Sequence, residues 1–210
     1  MKLSSRSLSR SGRFPGRCAF AVQAPFGHIR MSENRNPHLR WRGAPAATQS
    51  YALTCIDIDV PTRPDDVNRE GRVVPASLQR GEFAHWLLAN IPATVTELAE
   101  GAYSQGIVAH GKTAPVGPEG SVQGLNDYTG WFQGDASMEG RYLGYDGPCP
   151  PWNDAIPHRY VFEVLALDVP TLSLQPGFTL AEMRQAIEGH VLARASLVGR
   201  YTLNPAVALR

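Results

Sequence analysis

Four stretches of the chain are short apolar runs bounded by turn-forming residues, the pattern of strands rather than helices. They are "RCAFAV" (17–22), "SYALTCIDIDV" (50–60), "FAHWLLANI" (83–91) and "RYVFEVLALDV" (159–169). A further strand-like run, "ASLVGRYTL" (195–203), lies near the C-terminus. One helix is predicted over "TLAEMRQAIEGHVL" (179–192), where Thr179 and Glu182 have the spacing of a capping box and Leu180, Met183, Ile187 and Val191 recur on one face. With so few helices and no strand–helix alternation, the expected fold is mainly β: an antiparallel β-sandwich with a few peripheral helices, one near the C-terminus, in a single domain spanning 1–210. The segment 101–157 holds many glycines and several aromatics without a period. A structureless loop of that length is uncommon in a compact domain, so an ordered, functional excursion is expected.

Composition narrows the class. Apolar residues at 43% and charged residues at 19%, with no apolar run near the roughly 18 residues of a membrane span, point to a soluble globular protein. Cys18, Cys55 and Cys149 are too few and too scattered for a disulfide framework or a closed zinc site. A reducing, cytoplasmic setting is therefore expected, and the first thirty residues lack the continuous apolar stretch of a secretory signal. Residues 1–42 contain nine Lys/Arg against the single Glu33. Spread over that length, these charges read as a solvated face, with peripheral contact to an anionic membrane as the alternative and no nucleic-acid site expected.

The chemistry-bearing residues sit on three of the strands. In "CIDIDVP", Asp57 and Asp59 are two apart and are expected to share a face at the end of an apolar strand, although a strand running out into solvent would look the same. In "EFAHWLLANIP", His85 alternates with Phe83, Leu87 and Ala89 and is expected on one face with them, Trp86 on the other. In "HRYVFEVLALD", His158, Tyr160, Phe162 and Val164 share a face, which puts an imidazole beside a phenol above apolar side chains. Just before them, "GPCPP" is rigid backbone with few donors, the material of a stiff pocket rim. Two histidines, a phenol and two carboxylates that set the histidines' charge make a site for a small anion. Cys149 reads as packing filler, and no compact histidine motif supports a metal site.

Taken together, "NRNPHLRWRGAPAATQSYALTCIDIDVP", "HWLLANIP" and "GYDGPCPPWNDAIPHRYVFEVLALD" resemble the ordered motifs of the phosphatidylethanolamine-binding protein family, in particular its bacterial Raf kinase inhibitor-like branch. The resemblance implies a β-sandwich with one small anion cavity near the surface. It also implies ligand-binding roles for Asp57, Asp59, His85, Pro150, Pro151, His158 and Tyr160, while Arg159 points to the other face of its strand. Two departures stand out: "WNDAIP" replaces a shorter link before His158, and "PTRPDDVNREGRVVPASLQRGE" lengthens the loop between Asp59 and His85.

The expected function is therefore non-enzymatic binding of a phosphate or carboxylate head group, from a phospholipid or a phosphorylated ligand, without a cofactor or metal. Two rivals remain: a module that inhibits a kinase or protease partner, and a hydrolase using the Asp and His groups as acid and base. The resemblance leaves homodimerisation open.

Overall fold

Strand β5 (Ser50–Pro61) is apolar on both faces, and it runs through the middle of the main sheet between β9 (His158–Leu167) and β6 (Arg80–Pro92). The computed structural model describes residues 1–209. The sheet is completed by β10 (Val191–Tyr201) beside β9 and by β8 (Val122–Gln123) beside β6, with every neighbouring pair antiparallel. A smaller sheet joins β1 (Lys2–Ser4), β4 (Leu39–Arg42) and β7 (Glu97–Leu98), and β2 (Ala21–Gln23) pairs with β3 (Ile29–Met31) as a ribbon. The only helices among the described residues, apart from a 3₁₀ turn at Gly16–Cys18, are α1 (Tyr128–Trp131) and α2 (Leu180–Ala186). The architecture is mainly β, as expected, and no helix among the described residues is long and apolar enough to cross a membrane.

Alternation along the strands sorts the core into two layers. Leu53, Cys55, Trp86, Phe162 and Val164 meet Leu3, Leu39, Trp41 and Leu98 of the small sheet, so the larger cluster fills the sandwich between the sheets. On the opposite face, Ala52, Ala84, Leu87 and Leu165 are covered by Phe178 and by Met183 of α2. The capping box forms as predicted: the Thr179 side chain accepts from the Glu182 N–H while the Glu182 carboxylate accepts from the Thr179 N–H. The helix is shorter than its pattern. Gly189 adopts φ +82°, and Val191 already pairs with Leu167 as the first residue of β10.

The face assignment on β6 also needs correction. Cys55 lies opposite Trp86, yet Ile56 lies opposite Ala84, so His85 is an extra, bulged residue. The bulge lets His85 and its neighbour Trp86 both reach the sandwich side, where His85 packs edge-on against Tyr160, while Leu87 and Ala89 fall into the other cluster. A second slip, between Asp57↔Phe83 and Val60↔Gly81, adds a residue to β5 and takes Asp59 off the face of Asp57.

The N-terminal expectation holds only at its end. "RCAFAV" contributes the 3₁₀ turn and the start of β2 rather than one strand, because its backbone bonds elsewhere. The N–H of Phe20 donates to the Pro148 carbonyl at 2.9 Å, and the Tyr145 hydroxyl donates to the Cys18 carbonyl. Residues 101–157 are ordered with little regular structure; the Gly124 and Asp127 N–H groups donate to the Leu87 and Ala84 carbonyls along the edge of β6 at 2.8 and 2.9 Å.

Gly147 is where the 16–21 segment and "GPCPP" come closest: a Cβ there would stand 2.2 Å from the Cys18 carbonyl oxygen, a backbone atom that cannot step aside. Gly147→Ala is expected to lower stability by about 2 kcal/mol through overpacking, measured by chemical denaturation. An unchanged midpoint would show that this contact does not hold the two segments together.

Candidate functional site

The end of β9 is held by buried charges. His158 donates through Nδ1 to Asp57 at 2.7 Å and through Nε2 to Asp154 at 3.1 Å, and all three side chains are almost wholly enclosed. Asp154 in turn takes a two-pronged contact from Arg80 at 2.6 and 3.0 Å. Burial pulls the His158 imidazole down, but Asp57 and Asp154 outweigh it and raise its pKa to about 9, so the ring is an imidazolium at neutral pH. Burial likewise pushes Asp154 up, and its bonds to His158 and Arg80 bring it below the ordinary carboxylate range.

Asp59 serves a different partner. Its carboxylate accepts from the Arg159 guanidinium at 2.8 Å and from the Arg159 backbone N–H at 2.8 Å, and its own N–H donates to Asp57 at 2.8 Å. Burial opposes ionisation of Asp59, and the Arg159 contacts overcome it. Asp59 does not line the cavity beside Asp57, which corrects the expectation that the two carboxylates share a face there, although its charge still acts on His158. The β5 bulge is the reason.

The cavity has a volume of about 240 Å³ and is lined by Asp57, His85, Pro150, Pro151, His158 and Tyr160 of the expected set. Within this group the free polar atoms are few. His158 has both nitrogens committed to carboxylates, so the direct ligand contact expected of it has no donor left to make it. His85 uses Nδ1–H to donate to the Asp146 carbonyl at 2.7 Å, which leaves Nε2 without a protein partner. Burial pulls the His85 pKa below its ordinary value, against the pull of Asp57, so the ring is neutral and Nε2 is an acceptor at neutral pH. The Tyr160 hydroxyl is buried close to the Asp57 carboxylate without a hydrogen bond of good geometry, and burial followed by the Asp57 charge drives its pKa well above the ordinary phenol value.

The surroundings are apolar and stiff. Phe20, Phe83, Tyr128 and Phe132 share the cavity wall with Pro150, Pro151 and Cys149. The Cys149 thiol is pushed up to about 12 by burial, which suits packing rather than reactivity. Among the described residues no three His, Cys, Asp or Glu side chains are grouped as metal ligands.

Three supporting residues escaped the sequence reading. Asp154 stood in plain view four residues before His158 in "WNDAIPH", an acid within reach of the imidazole. Asp146 fixes His85 through its carbonyl, while its carboxylate takes Lys112, Asn34 and Asn126 at 2.6, 2.7 and 2.8 Å. No local pattern marks Arg80 or Asp146, whose partners come from distant parts of the chain.

Comparison with known proteins points one way. The family model described as "Phosphatidylethanolamine-binding protein" matches residues 4–202. A UPF0098 protein of Methanothermobacter thermautotrophicus is 33% identical over 201 residues, 96% of this chain and 98% of the relative. The UPF0098 protein YbhB of Escherichia coli is 30% identical over 202 residues, 96% of this chain and all of the relative, or 100%. Among solved structures, E. coli YbcL, described as a new member of the mammalian PEBP family, superposes with a TM-score of 0.65 at 27% identity, covering 96% of this chain and 97% of that one.

The raised pKa of His158 makes a stability prediction. A group whose folded pKa lies above its unfolded value stabilises the fold below the unfolded value, 6.5, and loses that contribution as pH rises through about 9. Denaturation free energy should therefore fall by about 3 kcal/mol between about pH 6.5 and about pH 9.5. A His158→Gln variant should lack that step. Direct NMR titration of the His158 ring locates the transition, and a ring that loses its proton near its ordinary pKa would contradict the pairing.

Proposed function

The chain belongs to the phosphatidylethanolamine-binding protein family, and on that premise we propose that it is a non-enzymatic binding protein whose cavity holds a phosphate or carboxylate head group. One observation carries this reading: His85 and Tyr160 line the same cavity, His85 Nε2 makes no protein hydrogen bond, and the Tyr160 hydroxyl is buried without one. A buried hydroxyl left this way costs free energy, which a ligand recovers by bonding it.

The charges around the floor are matched in pairs. His158 answers Asp57, and Arg80 answers Asp154, so an incoming anion meets no uncompensated carboxylate. It meets a phenol O–H that donates directly and an imidazole that donates from Nε2 only when protonated. Anion binding is thus coupled to proton uptake at His85. The pinned His158 imidazolium adds favourable charge without touching the ligand.

The lining supports binding rather than hydrolysis through a covalent intermediate. Cys149 is the one thiol in the lining, and burial holds it protonated; no serine, threonine or lysine lines the cavity. The two histidines are occupied in ways that suit recognition: one is fixed by two carboxylates, the other by a backbone carbonyl.

Inorganic sulfate, which keeps its charge across the range, tests the coupling by calorimetry. Because protonated His85 is the donor and burial lowers its pKa, affinity should climb as pH falls from alkaline through neutral conditions, by up to about tenfold per pH unit, and level off once pH drops below that lowered pKa. Tyr160→Phe should weaken sulfate binding by about 2 kcal/mol while raising the stability of the free protein by about 1 kcal/mol, because a buried hydroxyl without a hydrogen-bond partner is removed. Affinity that ignores both pH and Tyr160 would rule out this site for anions.

A further inference from the structure

Of the 20 Lys and Arg residues in the chain only Lys2 and Lys112 are lysines, and the two are placed differently. Lys2 is exposed at the start of β1, whereas the Lys112 side chain is 12% exposed and its ammonium donates to the Asp146 carboxylate at 2.6 Å. The backbone is shaped to bring it there. His110 and Gly111 both take left-handed φ, 66° and 83°, and a Cβ on Gly111 would stand 2.1 Å from the Arg141 carbonyl oxygen.

Asp146 makes two separate sets of contacts. Its main chain holds His85: the Asp146 N–H donates to the His85 carbonyl at 3.0 Å, and the Asp146 carbonyl accepts from His85 Nδ1–H at 2.7 Å. Its carboxylate is 1% exposed and is held from three directions, by Asn34 and Lys112 on one oxygen and by Asn126 on the other. Of these three partners only Lys112 carries a charge. An enclosed carboxylate without a countercharge is strongly unfavourable, and it relaxes by moving toward water or by taking up a proton.

The placement of Asp146 decides which face His85 shows. A neutral imidazole has one N–H, which either nitrogen can carry. The Asp146 carbonyl claims it for Nδ1, and Nε2 remains for the cavity. We infer that Lys112 is a positioning residue for the anion site: its ammonium anchors Asp146, and Asp146 in turn holds the His85 ring so that Nε2 is the nitrogen presented to the cavity. Lys112 itself does not line the cavity, so it acts through Asp146 without touching a ligand. The inference rests on the head-group reading for its effect on binding, and on the contacts alone for its effect on the ring.

Position and charge predict opposite changes in binding at this site. Burial disfavours the charged His85 ring, while the carboxylates of Asp57, Asp127 and Asp146 favour it. Lys112 offsets the last of these. Were Lys112 to act on His85 as a charge alone, its removal would ease protonation of the ring and tighten anion binding. Acting through position, its removal weakens binding.

The test uses the full chain with isotope-labelled histidine, and inorganic sulfate as the probe. NMR at about pH 8 reports which nitrogen of the neutral ring carries the proton, and calorimetry at about pH 6 reports binding. In the unaltered chain His85 should be a single tautomer protonated at Nδ1. Lys112→Met should turn it into a mixture of tautomers and weaken sulfate binding by about tenfold, the worth of one hydrogen bond to a charged group. The His158 ring, held by Asp57 and Asp154, should keep its signals. Lys112→Gln keeps a donor toward Asp146 without the charge and should move both readouts the same way by less, which preserves the test where the Met variant does not fold. A single Nδ1-protonated tautomer in the Met variant, or in the Gln variant if that alone folds, would overturn the positioning role whatever the affinity. Tighter sulfate binding would overturn it too, by showing that Lys112 acts as a charge. Absence of sulfate binding by the unaltered chain would remove the head-group reading, and the tautomer measurement would still decide the role of Lys112.

Discussion

The contact on which the site depends is the buried sequence of charges Asp57–His158–Asp154–Arg80. It links four parts of the chain: the end of β5, the start of β9, the turn that precedes β9, and the start of β6. Burying any one of these groups alone would cost several kcal/mol, and each is tolerable because its neighbour carries the opposite charge and a hydrogen bond. The carboxylates satisfy both nitrogens of His158, and Arg80 spreads its donors over Asp154 and the carbonyls of Asp59 and Pro75. With these bonds made, the floor is rigid before any ligand arrives. Rigidity of this kind is what preorganised recognition requires, because none of the ligand's binding energy goes into ordering the site.

Much of the floor was legible in the primary structure, and the reason is the two-residue period of strands. The alternation of His158, Tyr160, Phe162 and Val164 placed an imidazole and a phenol side by side, and β9 pairs with β5 without irregularity from Ser50↔Leu167 to Asp57↔Tyr160. Alternation failed wherever a strand carried an extra residue. His85 and Asp59 both sit at slips in the pairing of β5 with β6, so one was assigned the wrong companions and the other the wrong face. A bulge leaves almost no mark in a single sequence, because its cause lies in the partner strand. The N-terminal segment failed for a related reason: only Ala21 and Val22 of "RCAFAV" pair as a strand, with Met31 and Arg30, while the Phe20 N–H is spent on the Pro148 carbonyl.

Functional sites tend to occupy such irregularities, and this molecule shows why. A regular β6 would alternate Trp86 with His85 and send the imidazole into the layer beneath α2. The bulge instead lets Trp86 stay in the sandwich, where its indole N–H donates to Gln123 at 2.9 Å, and lets His85 reach the cavity from the same side. Asp146 then completes the placement: its N–H donates to the His85 carbonyl at 3.0 Å while its own carbonyl accepts from the ring. His85 is clasped by one residue at both its backbone and its side chain, and Nε2 is left without a protein partner beside the cavity.

The two segments that depart from the family pattern turn out to be one structure. The Asn153 side-chain amide donates to the carbonyls of Asp66, Arg69 and Arg72 at 2.8, 3.3 and 3.1 Å, and its oxygen accepts from the Asn68 N–H at 3.0 Å. The Asn68 side-chain oxygen in turn accepts from the Trp152 N–H at 3.0 Å, and Pro64, Val67 and Asn68 line the cavity. The long loop after β5 is thus folded around the insert before β9, and together they shape the mouth. The residue after Asn153 is Asp154, which completes the bonding of His158. One short segment therefore ties the loop at the mouth with one residue and occupies His158 Nε2 with the next. A shorter link without that acid would leave Nε2 of His158 without a carboxylate; here His85 Nε2 and the Tyr160 hydroxyl are the cavity groups without a protein hydrogen bond. The mouth and the floor are consequently a single specificity determinant, and a change in either must be accommodated by the other.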